Sequence, residues 1–138
     1  MKDNKQNTSK YLFVYGTLMQ QSKHEMALFL NAHSKFIDHG YCHAKLFEVD
    51  GYPGAVLSAN KKHRVYGQIY ELDNTETVFK VLDIYEGINP LLPEPFLYKR
   101  ELIPVFTSEN TAVISWMYLY NLPTTNLQYI PSGKYRLP

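Results

Sequence analysis

Short apolar runs alternate with polar breaks along the chain, and the period of each run separates strands from helices. Tyr11-Leu12-Phe13-Val14-Tyr15 is almost wholly apolar and closes at Gly16, which predicts a buried first strand. A helix should follow, because Ser22 stands three residues before Glu25 in capping-box spacing and 26–30 supplies an apolar face. Strand-like patterning then covers 37–49, with a turn at Gly51-Tyr52-Pro53-Gly54 and a short strand at 55–58. Residues 64–72 read as another strand, in which Gly67 marks a bulge or a close backbone approach.

The second helix has the clearest signature. Asp73 and Glu76 form a capping-box pair, and Val78, Phe79, Val81, Leu82 and Tyr85 make an apolar stripe. Gly87 is placed to end the helix in a left-handed conformation. The loop that follows carries Pro90, Pro93 and Pro95 and is too broken for regular structure. Strands at 97–106 and 111–120 come next. In the last of these both alternating faces are apolar, as in a barrel strand covered on both sides. The stretch after Leu122 reads as irregular. This order predicts an α+β domain over 11–138, built on a small curled sheet and preceded by a disordered polar tail over 1–10.

Composition narrows the picture further. A chain of 138 residues that is 45% hydrophobic can bury a core without metals or disulfides. The single cysteine, Cys42, cannot form an internal bridge, which points to a reducing, cytoplasmic setting. A net charge of +1 argues against a nucleic-acid or anionic-membrane partner. No apolar run is long enough to span a bilayer, and the polar beginning lacks a secretory hydrophobic stretch. The 12 Tyr and 7 Phe suggest strands and a pocket lined with phenols.

Glu86 carries the strongest chemical signal. At about 100° per residue it falls between Phe79 and Leu82, on the buried stripe of its helix. A carboxylate aimed inward there is opposed twice, by loss of water and by the negative helix end, and both raise its pKa. The alternative is a side chain that bends out to solvent from the last turn. Tyr15-Gly16-Thr17-Leu18 links a buried strand to a helix and can offer backbone N–H groups to an anion, unless it is an ordinary connection. His39 and His43 are four apart in a strand-like stretch without a third ligand, so no metal site is expected. His24 and Glu25 point to different sides of a helix. Cys42 has no evident His partner, and no Gly-x-Ser-x-Gly elbow occurs.

Seven segments, taken in order, resemble the gamma-glutamylcyclotransferase-like superfamily. They are Phe13-Val14-Tyr15-Gly16-Thr17-Leu18, Tyr52-Pro53-Gly54-Ala55, Val65-Tyr66-Gly67-Gln68-Ile69-Tyr70, Leu82-Asp83-Ile84-Tyr85-Glu86-Gly87, Tyr98-Lys99-Arg100, the strand over 112–120 and Ile130-Pro131-Ser132-Gly133. The resemblance implies a small mixed β-barrel with flanking helices and a cofactor-free reaction. In that reaction the α-amine of a gamma-glutamyl amine or peptide attacks its own side-chain carbonyl, giving 5-oxoproline and a free amine. Glu86 matches the family's catalytic glutamate, a general acid/base. Tyr15, Gly16, Thr17 and Leu18 match its substrate loop, Tyr118 a recurrent tyrosine that could donate a hydrogen bond to substrate, and Arg100 another recurrent position. An internal ion pair explains Arg100 as well.

Two features depart from the family pattern: the longer, proline-rich loop 87–97, and Lys134-Tyr135 where an acidic residue and Trp are frequent. The loop is expected to border the pocket and select the leaving group. A non-catalytic module that binds a gamma-glutamyl or amino-acid-like metabolite, and an acyl-chain trimming enzyme, would use the same site. An inward Glu86 of raised pKa favours catalysis; a solvent-facing one favours the module.

Overall fold

The computed structural model describes residues 9–16 and 24–135. Five strands close a barrel: β1 (Tyr11–Val14), β2 (Ser34–Cys42), β5 (Val65–Leu72), β6 (Tyr98–Thr107) and β7 (Ala112–Tyr120). Their order around the barrel is β1-β5-β2-β6-β7, with β7 returning to β1. Every neighbouring pair is antiparallel except that closing one, where Leu12 and Phe13 run parallel to Trp116 and Met117. A second sheet places β3 (Ala44–Val49) between β4 (Tyr52–Leu57) and the short β8 (Gln128–Ile130). Two helices, α1 (Glu25–Ala32) and α2 (Thr75–Tyr85), complete the α+β fold.

Strand alternation gives the barrel strands two packing faces. Phe13, Ile69, Val105, Met117 and Leu119 point into the barrel and pack with Leu46 and Ala55 of the second sheet. Leu12, Val14, Tyr70, Leu72 and Tyr118 point outward and meet Leu30 of α1 and Val78, Phe79 and Leu82 of α2. The strands beneath the helices are therefore apolar on both faces, as the pattern of 112–120 predicts.

Several boundaries differ from the sequence reading. The run expected over 37–49 is two strands, β2 and β3, and β2 begins earlier, at Ser34. The turn falls at Asp50-Gly51, both at positive φ, and Tyr52 already belongs to β4. Pro53 is tolerated there because β4 is an edge strand. β8 lies in the stretch read as irregular; three residues are too few to show a period. Helix α2 is capped one residue later than expected, by Asn74, whose side chain accepts from the Thr77 N–H at 3.0 Å. Val81, counted in its stripe, is partly exposed, because the buried face is confined to Val78, Phe79 and Leu82. Ser22 lies outside the described residues; α1 starts at Glu25 behind His24, whose Nδ1 accepts from the Met26 N–H at 3.1 Å.

Ser9 and Lys10, read from the sequence as the end of a polar tail, are tied to the barrel. The Trp116 indole donates to the Ser9 carbonyl at 2.9 Å, Ser9 Oγ donates to the Ile114 carbonyl at 2.7 Å, and the Leu72 N–H donates to the Lys10 carbonyl at 2.7 Å. Residues 1–8 lie outside the described ones. Among the described residues no helix is long and apolar enough to cross a membrane.

Gly67 is a close-approach position. A Cβ there would sit 2.1 Å from the Val14 carbonyl oxygen across the β1–β5 ladder. The register shift of this sheet lies on β2 instead, between Phe36 and Asp38. Since backbone must move to admit a methyl group, Gly67→Ala is expected to lower stability by about 1–3 kcal/mol, read as a lower urea midpoint. A midpoint equal to wild type would contradict this account of the β1–β5 contact.

Candidate active site

The last turn of α2 sets the site. Val78, Phe79 and Leu82 dock the helix on the barrel and bring Glu86, its C-terminal cap, to the barrel rim. The Glu86 N–H donates to the Leu82 carbonyl at 2.9 Å, and Gly87 follows at φ 86°. Its carboxylate faces a cavity of about 330 Å³, lined among others by Tyr15, Gly16, Pro53, Tyr98 and Tyr118. Burial raises the Glu86 pKa to about 7, with the negative charge of Asp83 adding to it. The side chain faces the cavity, and its pKa lies well above the ordinary carboxylate range.

Gly16 allows the wall to close. A Cβ at this position would lie 2.4 Å from Pro53 Cγ, so the turn after β1 can touch β4 only with glycine there. The Tyr15 hydroxyl is buried; it donates to the Tyr118 backbone oxygen and accepts the Ala55 N–H at 3.2 Å, tying β7 to β4. The other two residues of the expected substrate loop, Thr17 and Leu18, lie outside the described residues. Tyr118 lines the cavity, and its hydroxyl donates to Asp83 Oδ1 at 2.6 Å. Tyr98, not singled out by the sequence, also lines the cavity and donates to the Pro53 carbonyl at 2.7 Å. Burial raises the pKa of Tyr15, Tyr98 and Tyr118, so these phenols stay protonated at neutral pH.

Arg100 stands apart from the cavity, on the far side of α2's last turns. Its Nε donates to Asp83 Oδ1 at 2.8 Å and its Nη2 to Asp83 Oδ2 at 3.0 Å. The guanidinium lies over the rings of Phe79 and Trp116, 3.8 and 4.5 Å from their centres. The ion-pair explanation thus fits its place. Asp83 is the residue that sequence reasoning passed over. Quoted above only within a matching segment, it joins Arg100 to Tyr118. Its signal was its spacing, three residues before Glu86 and hence on the same side of the helix.

The remaining candidates occupy structural positions. His39 packs against Phe36, and His43 against Tyr41 and Phe106. His24 caps α1, and its Nε2 lies 3.0 Å from the hydroxyl of Tyr85, a cavity-lining residue. Among the described residues no group of three or more His, Cys, Asp or Glu could hold a metal ion. Cys42 is buried beside Met117, and burial raises its thiol to about 12, so it is no nucleophile at neutral pH. The proline-rich loop meets the cavity only through its ends, Gly87 and Leu97. Leu91, by contrast, is 91% exposed.

The sequence matches the family model described as gamma-glutamyl cyclotransferase, AIG2-like, over residues 12–137. No curated protein matches it significantly. Among solved structures, YkqA from Bacillus subtilis superposes with a TM-score of 0.66 at 27% identity, covering 91% of this chain. The chain spans only 39% of that protein's length. An AIG2-like protein from Mus musculus shares the fold with a TM-score of 0.67 at 22% identity, over 92% of this chain and 88% of the mouse one. YtfP from Escherichia coli gives a TM-score of 0.53 at 28% identity, over 91% of this chain and 95% of its own. With nearly its whole length matched by the family model and by these barrels, the chain belongs to the AIG2-like gamma-glutamyl cyclotransferase family.

Proposed function

We propose that the protein is a cyclotransferase that converts a gamma-glutamyl amine or peptide into 5-oxoproline and a free amine, with Glu86 as general acid and base. The observation that carries this reading is an inward carboxylate of pKa about 7 on a cavity closed by the turn after β1. A base near neutrality can take a proton from an ammonium and return it within one turnover.

The chemistry needs little else. The substrate's α-ammonium loses a proton to Glu86, and its nitrogen forms a bond to the gamma-carbonyl carbon. The tetrahedral adduct collapses as the bond to the leaving nitrogen breaks; Glu86 gives that nitrogen the first proton, then takes the second proton from the ring nitrogen and passes it on, so the amine departs as an ammonium. Oxidation states do not change, so the reaction itself calls for no redox cofactor. Nucleophile and electrophile share one chain, so holding that chain folded supplies much of the acceleration. The narrow aromatic cavity suits that task, since Tyr15, Tyr98 and Tyr118 are fixed by their own hydrogen bonds. Backbone N–H groups of the turn that begins at Gly16 would stabilise the developing oxyanion.

Glu86→Gln keeps the side-chain shape but cannot shuttle a proton. The variant should fold and lose about 10²–10⁴-fold in 5-oxoproline release from a panel of gamma-glutamyl compounds. Near-normal turnover in that variant would refute the mechanism. Because Glu86 must begin as the carboxylate, kcat/KM should fall as pH drops through about 7. A profile flat from pH 8 down to about 5 would be incompatible with this role.

Stability gives a second, activity-free reading. The folded pKa of Glu86 lies near 7 and the ordinary value is 4.5, so the folded state holds the proton more tightly than the unfolded chain. Its contribution is present below the unfolded pKa and is lost as pH rises to the folded one. Unfolding free energy should therefore decline with rising pH between about 4.5 and about 7 in the wild type, and Glu86→Gln should flatten that slope. Equal slopes in urea titrations of the two proteins would contradict the burial of Glu86.

A further inference from the structure

The walls of the cavity differ in exposure. Val14, Tyr15, Tyr98 and Tyr118 are buried, whereas Tyr52 and Leu97, which line the same cavity, are 51% and 42% exposed. Large apolar side chains half open to water at the border of a cavity mark its mouth. A hydrogen bond holds the two segments together: Tyr98, next after Leu97, donates at 2.7 Å to the carbonyl of Pro53, next after Tyr52. The starts of β4 and β6 thus build one side of the mouth. Leu97 is also the one side chain of the loop 87–97 that reaches the cavity, since the other contact is Gly87. The expectation that this loop selects the leaving group therefore narrows to its last residue.

The wall is poorly furnished for a further charge. Among the described lining residues Glu86 is the one carboxylate, and none is Lys, Arg or His. The hydroxyl protons of Tyr15, Tyr98 and Tyr118 are already given to the Tyr118 backbone oxygen, the Pro53 carbonyl and the Asp83 carboxylate. A phenol has a single proton to donate. A carboxylate carried by the departing amine would therefore enter the cavity without a counter-charge, and Glu86 would repel it. A second ammonium on that amine fares little better, because Glu86 is engaged with the reacting nitrogens. An alkyl chain gives up no polar contact with water, and it covers apolar surface that is now exposed.

We propose that Tyr52 and Leu97 form the leaving-group subsite, and that it selects an apolar monoamine: an alkylamine with neither a carboxylate nor a second ammonium. This rests on the gamma-glutamyl reading above and narrows it. Gamma-glutamyl peptides, whose departing amino acid or peptide carries a carboxylate, become poor substrates. Tyr52 supplies a flat aromatic face from the edge strand and Leu97 a branched aliphatic one from the start of β6. Two such surfaces grip a chain by contact area alone, so affinity grows with its length.

The test compares kcat/KM for 5-oxoproline release by the full chain from gamma-glutamyl amides of methylamine, ethylamine, propylamine, butylamine, 4-aminobutanoate and 1,4-diaminobutane. The n-alkylamines have nearly equal basicity, so their series varies contact and leaves the chemistry constant. From methyl to butyl, kcat/KM should climb about threefold per added methylene. The butyl compound should lead the 4-aminobutanoate one, which carries a carboxylate in place of the terminal methyl, by about tenfold or more. It should lead the diamine compound as well. Tyr52→Ser and Leu97→Ser should each flatten the climb, and Leu97→Arg should bring the 4-aminobutanoate compound up on the butyl one by about tenfold. Both positions are half exposed, so these exchanges spare the core, and the wild-type ranking tests the proposal without any variant. Release of 5-oxoproline with a flat alkyl series, or with either charged compound in the lead, would overturn the subsite and leave the reading of the reaction standing. Release from none of these compounds would refute the gamma-glutamyl reading, and the subsite with it.

Discussion

Closure of the barrel through the four residues of β1 is the constraint from which the site follows. β1 pairs antiparallel with β5 on one side and parallel with β7 on the other, and it is buried on both faces. A strand so enclosed has one free direction, onward past its end. There Tyr15 and Gly16 emerge at the rim, next to Tyr118 of the parallel neighbour. Leu12 and Val14, on the outer face, form part of the surface on which α2 docks and so set where its last turn lies. Rim, tyrosine and carboxylate are brought together by one ladder.

Within that frame the site concentrates negative character. Glu86 and Asp83 lie three residues apart on one helix end, whose dipole is also negative. The arrangement is tolerable because the two carboxylates are treated differently. Asp83 receives a bidentate guanidinium and a phenol proton, while Glu86 stands against the tyrosine wall and is pushed up to about 7 by burial. Environments that raise a carboxylate's pKa toward neutrality are a recurrent way to tune it for proton transfer.

The parts of this that could be read in the sequence are those that leave a period or a signature. The apolar 11–15 run, the α2 stripe and the doubly apolar 112–120 strand were legible because burial imposes itself on every residue of an element. The inward phase of Glu86 was legible for the same reason. Features that depend on partners distant in sequence were not. Tyr98 meets Pro53 45 positions away, and Asp83 meets Tyr118 35 positions away. No local pattern marks such pairings. β8 failed for shortness, and the break between β2 and β3 for the opposite reason: His43 interrupts a run whose alternation continues through it.

The loop 87–97 is pinned to the barrel at its two ends and stands in solvent between them. Its start is held by the Ile88 N–H on the Asp83 carbonyl at 2.8 Å, and its end by Asn121, which bonds the carbonyls of Phe96 and Leu97 at 3.0 and 2.8 Å. The middle, around Leu91, stands in solvent. Insertions or exchanges there would leave the anchors, and hence Glu86, where they are. The fold thereby separates a segment whose length and side chains carry no packing from the helix end that places Glu86, so the one can be rewritten without disturbing the other.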